Sequence, residues 1–380
     1  MRIVEVSPYD MDRPGGVQNH LRDLAAWLRR EGHEVVVVAP RGSGDPSADV
    51  LEIGRQRLFG LHGTVTEISF AAPADMAKLR QAMSRFSPDL VHLHTPWTPL
   101  MPWQVWRALS LPTVSTFHAT LPDPRSLMGR GLIAAARYFL RNVDAAVAPS
   151  HVPARSLPTG PDLASVALIP PAVDLSPWFE AGARTRDRWD PVQQRVVFLG
   201  RLEHRKGVDV LMQAWPAVAL ACPRATLVIA GSGPLQPAVD AWCDGRAGVS
   251  RLPAPDAMSA RALVGEASIL VAPSRYGESF GIVLAEAMAA GAAPVAAAND
   301  GYADTLAGPY AGDLLFPSDD PGALTKRIVA LLAAPTQLAA IRAWGFERAR
   351  SLDISVIGPR YESLFQAVLD RRAKPSRDRD

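Results

Sequence analysis

The chain has 380 residues, 48% hydrophobic and 21% charged, with a formal net charge of +2. That length exceeds one ordinary core, so two domains are expected, and the mild charge asks for no nucleic-acid partner. Two cysteines, Cys222 and Cys243, exclude a disulfide framework and a cysteine zinc site, and they fit buried thiols in a reducing cytoplasm.

The N-terminus opens on a strand pattern, Ile3 to Ser7, without the basic region and long apolar stretch of a signal peptide. Val17, Leu21, Leu24, Ala25 and Leu28 recur at helical spacing, with Arg22, Asp23, Arg29 and Arg30 on the other side, so a helix is predicted over Val17 to Arg30, ending at Gly32. Strands follow at Val35 to Ala39, Leu90 to Leu93, Thr113 to Phe117 and Ala145 to Ala148. This alternation predicts a parallel sheet with crossover helices.

From Pro170 to Pro191 the rhythm is lost among Pro170, Pro171 and Pro177, and an interdomain connection is expected there. A second α/β series runs through Val196 to Leu199, Thr226 to Ala230, Ile269 to Ala272, a helix from about Phe280, and Pro294 to Ala298. The expected domains are therefore 1–172 and 190–352. A final helix, 355–372, with its stripe Ile357, Tyr361, Leu364, Phe365 and Val368 should pack back on the first domain, and 373–380 should be a disordered tail. Charges at Arg137, Arg141 and Glu286 interrupt the longest apolar stretches, so no bilayer span is expected and membrane contact would be peripheral at most.

Ligands of such sheets bind beyond the carboxyl ends of the strands. Four motifs fall there. Gly15-Gly16 opens the first helix, either as a flexible turn or as a place where helix-start amides approach a phosphate. Asp10-Met11-Asp12 has a metal-like spacing but no carboxylate cluster beside it, and no metal is expected. His118 ends a strand, as a site residue or a satisfied structural histidine, whereas His92 and His94 read as pleat alternation. Gly200-Arg201 through Lys206-Gly207 supplies cations suited to an anion, against the plainer reading of a solvated basic turn.

The fourth motif runs from Tyr276-Gly277-Glu278-Ser279-Phe280-Gly281 through Ile282, Val283 and Glu286 to Gly291. Glu286 lies eight residues beyond Glu278, about 12 Å along a helix at 1.5 Å per residue, a span suited to a nucleotide sugar. A carboxylate among Ala285, Ala287 and Met288 needs a partner, which a ligand would supply. Trp97, Trp103 and Trp106 either line an acceptor pocket, contact lipid or simply pack.

Taken together and in this order, these residues resemble glycosyltransferase family 4, and the N-terminal segment Pro8-Tyr9 with Pro14-Gly15-Gly16-Val17-Gln18 is similar to the phosphatidylinositol mannosyltransferases within it. The resemblance implies a GT-B fold, two Rossmann-like α/β domains with parallel sheets facing across a cleft, and a retaining, metal-independent transferase. It implies that Tyr9, Gln18 and His118 face the acceptor, and Trp97 of the tryptophan stretch is a further acceptor-side candidate beside them. It places Gly16, Arg201, Lys206, Glu278, Ser279, Phe280, Gly281, Ile282, Val283 and Glu286 on the donor, with His118, Arg201, Lys206 and Glu278 catalytic.

No cofactor is expected beyond a UDP- or GDP-sugar substrate. Two departures stand out. The helical window Ala74 to Phe86 has only Lys78, Arg80 and Arg85, with Asp75, where the lipid-acting enzymes carry a strongly basic helix, and Pro253-Ala254-Pro255-Asp256 differs from their base-binding turn. A nucleotide-sugar epimerase or hydrolase, and a non-catalytic sugar-nucleotide-binding subunit, are the competing readings.

Overall fold

The computed structural model describes residues 1–12, 15–42, 44, 49–61, 64–96, 100–122, 125–186 and 194–373, with the backbone alone for 56–61, 64–67 and 186. Its chain forms two units, residues 1–173 with 354–380, and residues 174–353. The tail 374–380 and Trp97 lie outside the described residues.

In the first unit the order is β1 (Arg2–Val6), α1 (Gly16–Arg30), β2 (Glu34–Arg41), β3 (Val50–Leu61), β4 (Thr64–Phe70), α2 (Pro73–Phe86), β5 (Leu90–His94), α3 (Met101–Leu109), β6 (Thr113–Thr116), α4 (Leu127–Asn142), β7 (Ala145–Ala148), α5 (His151–Ser156) and β8 (Val166–Leu168). The strands lie in the order β4-β3-β2-β1-β5-β6-β7-β8, parallel except for the antiparallel pair β3 and β4. The strand order reverses between β1 and β5, where such sheets place ligands.

Pleating sends alternate residues of β1 to opposite faces. Val4 and Val6 join Leu79, Met83, Val105 and Phe139 in one apolar layer, while Ile3 joins Leu21, Leu24 and Leu28 of α1 in the other. Glu5, on the Ile3 side, is therefore carried into an apolar layer.

The pair β3 and β4 is not apparent in the sequence, because Gly54, Arg55 and Arg57 break the apolar alternation. A Cβ on Gly54 would lie 2.5 Å from the Phe70 carbonyl oxygen, so the residue that spoils the pattern is required by the close pairing.

The second unit contains α6 (Ser176–Arg186), β9 (Gln194–Leu199), α7 (Val208–Ala221), β10 (Ala225–Ala230), α8 (Gln236–Cys243), β11 (Val249–Leu252), α9 (Ala257–Gly265), β12 (Ile269–Ala272), α10 (Ile282–Ala289), β13 (Ala293–Ala297), α11 (Asp300–Thr305), α12 (Ala311–Leu314), β14 (Leu315–Phe316), α13 (Pro321–Ala333) and α14 (Pro335–Arg350). Its parallel sheet runs β11-β10-β9-β12-β13-β14, reversing between β9 and β12.

The stretch expected as a connection holds α6. Pro177 falls in its first turn, where a missing amide proton goes unnoticed, and Trp178 is buried. A Cβ on Gly182 would sit 2.8 Å from the Ala289 carbonyl oxygen, which shows how closely α6 approaches the end of α10.

The chain then returns to the first unit as α15 (Ile354–Ala373). Ile357, Tyr361, Phe365 and Val368 bury its stripe in the layer shared with α1, while Leu364 is only partly covered. Each buried apolar side chain of this kind contributes about 1.5–3 kcal/mol. Both units are Rossmann-like α/β sheets of the kind the GT-B fold requires.

Candidate functional site

The second unit assembles a charged cluster from the loops that leave β9 and β12. A short 3-10 turn, His204–Lys206, ends at Gly207 with φ 69°, and a Cβ there would lie 2.0 Å from the Pro273 carbonyl oxygen. The two loops are thus pressed together. Lys206 Nζ donates to Glu278 Oε1 at 2.7 Å, and Arg205 Nη1 donates to the same oxygen at 3.0 Å. Arg275 ties the loops again, bonding both oxygens of Asp209 at 2.7 and 2.9 Å. Arg201 points elsewhere: it pairs with Glu203 at 3.3 Å and its side chain is 67% exposed.

Glu278 lies in the loop, not in the helix. Gly281 is the N-cap, with φ 88° and no capping side chain, so α10 starts at Ile282 rather than near Phe280. The expected rise of 1.5 Å per residue between Glu278 and Glu286 therefore does not apply to its first half. Glu286 sits in the middle of α10, partly buried.

Ser279, Phe280, Ile282 and Val283 form the turn and first residues around the uncapped helix start, where backbone amides and the helix dipole favour an anion. Helix α11 braces this turn. Asn299 caps it and donates to the Ser274 carbonyl oxygen at 3.1 Å, Tyr302 bonds the Ser274 hydroxyl at 2.9 Å, and the Thr305 hydroxyl bonds the Phe280 carbonyl oxygen. Burial and then the charge of Glu278 push the Tyr302 phenol well above its usual pKa.

In the first unit, Gly16 is exposed at the start of α1, whose N-cap Gly15 also lacks a capping side chain. Gln18 is buried and reaches the Asp10 carbonyl oxygen at 3.4 Å, and Tyr9 is held through its amide on the Ser7 hydroxyl at 3.1 Å. Asp12 accepts from the Gly44 amide at 2.7 Å.

His118 follows β6 and meets His94, with Nε2 and Nδ1 2.9 Å apart; His94 Nε2 lies 2.7 Å from Glu5 Oε2. His92 is part of the same cluster, its Nδ1 2.9 Å from that oxygen and its Nε2 2.7 Å from the Thr116 hydroxyl. Simple pleat alternation thus understates His92 and His94. Burial pushes His94 down to about 4 and His20 and His118 well below 6.5. For Glu5 burial acts upward, but His92 and His94 overcome it and hold the carboxyl well below its ordinary range.

Residues 14–177 match the model of Glycosyltransferase Family 4, and 193–334 that of Glycosyl transferases group 1. The phosphatidyl-myo-inositol mannosyltransferase of Mycolicibacterium smegmatis is 32% identical over 372 residues, covering 97% of this chain and 94% of the relative. The chain belongs to glycosyltransferase family 4.

Among solved structures, sucrose-phosphate synthase of Thermosynechococcus elongatus shares the fold at TM-score 0.74 and 20% identity, covering 97% of this chain and 99% of that one. HepE of Anabaena, in complex with UDP and glucose, does so at TM-score 0.71 and 18% identity, covering 97% and 100%. The family 4 chain is accordingly a glycosyltransferase, and the epimerase, hydrolase and binding-subunit readings are not favoured.

Among the described residues, two triplets bring metal-ligand atoms within 4.8 Å of one another, His20–His94–His118 and Glu5–His92–His94. His94 already directs one nitrogen to Glu5 and the other to His118. Neither triplet includes Asp10 or Asp12.

Sequence reasoning missed Arg205, which shares Glu278 with Lys206, and the bracing residues Ser274, Asn299, Tyr302 and Thr305. It also missed Glu5. The available signal was a carboxylate between Val4 and Val6 in a strand that must be buried, where a charge demands partners.

Proposed function

We propose that the chain transfers a hexosyl unit, with retention, from a nucleoside diphosphate sugar to a hydroxyl group of its acceptor. The observation that supports this most is the convergence of Lys206 and Arg205 on Glu278 Oε1 just ahead of the uncapped start of α10. Departure of a diphosphate develops negative charge, and ammonium, guanidinium and helix-start amides stabilise it without a metal. Arg201 is open to solvent and is assigned to the same phosphates, Glu278 and Glu286 to the donor sugar and ribose, and Tyr9, Gln18 and His118 to the acceptor side.

The acceptor attacks on the face that the diphosphate leaves, through an oxocarbenium-like state, and the leaving phosphate takes its proton. UDP as the nucleotide is supported by the HepE complex, and an inositol hydroxyl as the acceptor by the name of the mycobacterial relative. The chain is assigned to the cytoplasm, in keeping with the buried free thiols of Cys222 and Cys243. Among the described residues no single helix is long and apolar enough to cross a membrane.

On α2, Lys78 donates to the Glu52 carbonyl oxygen and Asp75 pairs with Arg41, while Arg80 and Arg85 stand exposed as its other two cations. A screen of UDP- and GDP-hexoses against inositol, inositol lipids and polysaccharide acceptors, read by mass spectrometry and anomeric NMR, tests the proposal. A glycosylated product of unchanged anomeric configuration is expected; free sugar as sole product with every acceptor would sink it.

A further inference from the structure

We propose that Glu5 and His94 form a buried positioning relay that fixes His118 as its Nε2–H tautomer, so that His118 meets the substrate with Nδ1 as a hydrogen-bond acceptor. This rests on the assignment of His118 to the substrate side. Hydrogen-bond directions decide the tautomers. An ionised carboxylate only accepts, so the 2.7 Å contact with Glu5 places the His94 proton on Nε2. His94 Nδ1 is then an acceptor, and the 2.9 Å contact places the His118 proton on its Nε2. Neutral His118 is left with a bare Nδ1.

His20 cannot provide an alternative acceptor. His20 Nδ1 lies 2.8 Å from the Ala172 amide, which only donates, and 3.3 Å from the Ala172 carbonyl oxygen, and the shorter contact puts the proton of neutral His20 on Nε2. Glu5, His92 and His94 are fully buried, while His118 keeps 9% of its surface at the end of β6. The chain of contacts thus runs from the sheet interior to the only member that retains exposure. A carboxylate behind a histidine is a general means of setting tautomer and ring orientation.

The test is histidine side-chain nitrogen NMR of the full chain without substrate, joined to kinetics of Glu5→Gln and His94→Phe. Wild-type spectra should show His94 and His118 both protonated at Nε2. A proton on Nδ1 of either ring overturns the relay whether or not the variants fold. Both variants should lose about 10- to 100-fold in kcat, the range seen when a partner behind an active group is removed. Their affinity for the nucleoside diphosphate should not change, since Lys206 and Glu278 are untouched. An unchanged kcat in Glu5→Gln, or affinity and kcat falling together in both variants, also overturns it. Absence of transfer by the wild type would reject the proposed function and leave the spectra to decide the tautomers.

Discussion

Two cations share one oxygen of Glu278, and the consequence of removing either differs. The Lys206 side chain makes no other hydrogen bond among the described residues, so Lys206→Ala removes the charge proposed to face the leaving group without unpicking the loop. Loss of one preorganised donor of this kind costs about 10²–10³ in kcat, and steady-state kinetics with saturating acceptor should show it. Arg205 also reaches the carbonyl oxygens of Tyr276 and Gly277 and the carboxylate of Glu203, so Arg205→Ala should raise the donor KM as well. Normal kinetics in both variants would remove the cluster from the donor site. Lys206 and Glu278 were legible because each follows a strand inside a patterned motif. Arg205 was not, since the adjacent cations Arg205 and Lys206 look alike until the 3-10 turn and Gly207 bring both onto Glu278.

Elements carry the site only if their ends and crossings hold. Gly281 needs its positive φ to start α10, and a Cβ would lie 2.5 Å from the Tyr302 ring, itself pinned by Ser274. Gly281→Ala should destabilise the second unit by about 1–3 kcal/mol from backbone strain before any overlap is counted, and should weaken nucleotide binding measured by calorimetry. In the first unit, Gly358 of α15 lies against Trp27 of α1, whose ring atoms are 2.5–2.8 Å from where a Cβ would stand. Alanine in place of a helical glycine gains about 1 kcal/mol, but overpacking a buried ring costs about 1–3 kcal/mol. The clash should win, and Gly358→Ala should unfold at lower urea; a more stable variant would contradict the packing of α15. The apolar stripe of α15 could be read from its spacing, because it faces one layer. Strands β3 and β4 and helix α6 could not, because Gly54 and Pro177 look like breaks until the close pairing and the first helical turn give them a place.

For the molecule as a whole, the buried imidazoles make stability depend on pH. His20 of α1, His94 of β5 and His118 after β6 are all held below their ordinary pKa by burial, His94 at about 4. In the unfolded chain each takes up a proton near pH 6.5, whereas the folded chain resists it. Between pH 6.5 and 4 the unfolded state therefore binds more protons, and stability must fall as pH falls, by up to about 1.4 kcal/mol per pH unit for each group. From about one pH unit above 6.5 these groups are neutral in both states and the contribution is complete. Glu5 acts in the same direction at lower pH, because its folded carboxyl is held below the unfolded value of 4.5 and its contribution is lost only on protonation. The one histidine of the second unit, His204, is largely exposed. Urea unfolding followed at pH 8.5, 7.5 and 5.5 should show little change over the first step and a marked fall over the second. A midpoint that stays level down to pH 5.5 would mean that these imidazoles take up protons as readily in the folded chain as in the unfolded one, against the burial that holds them neutral.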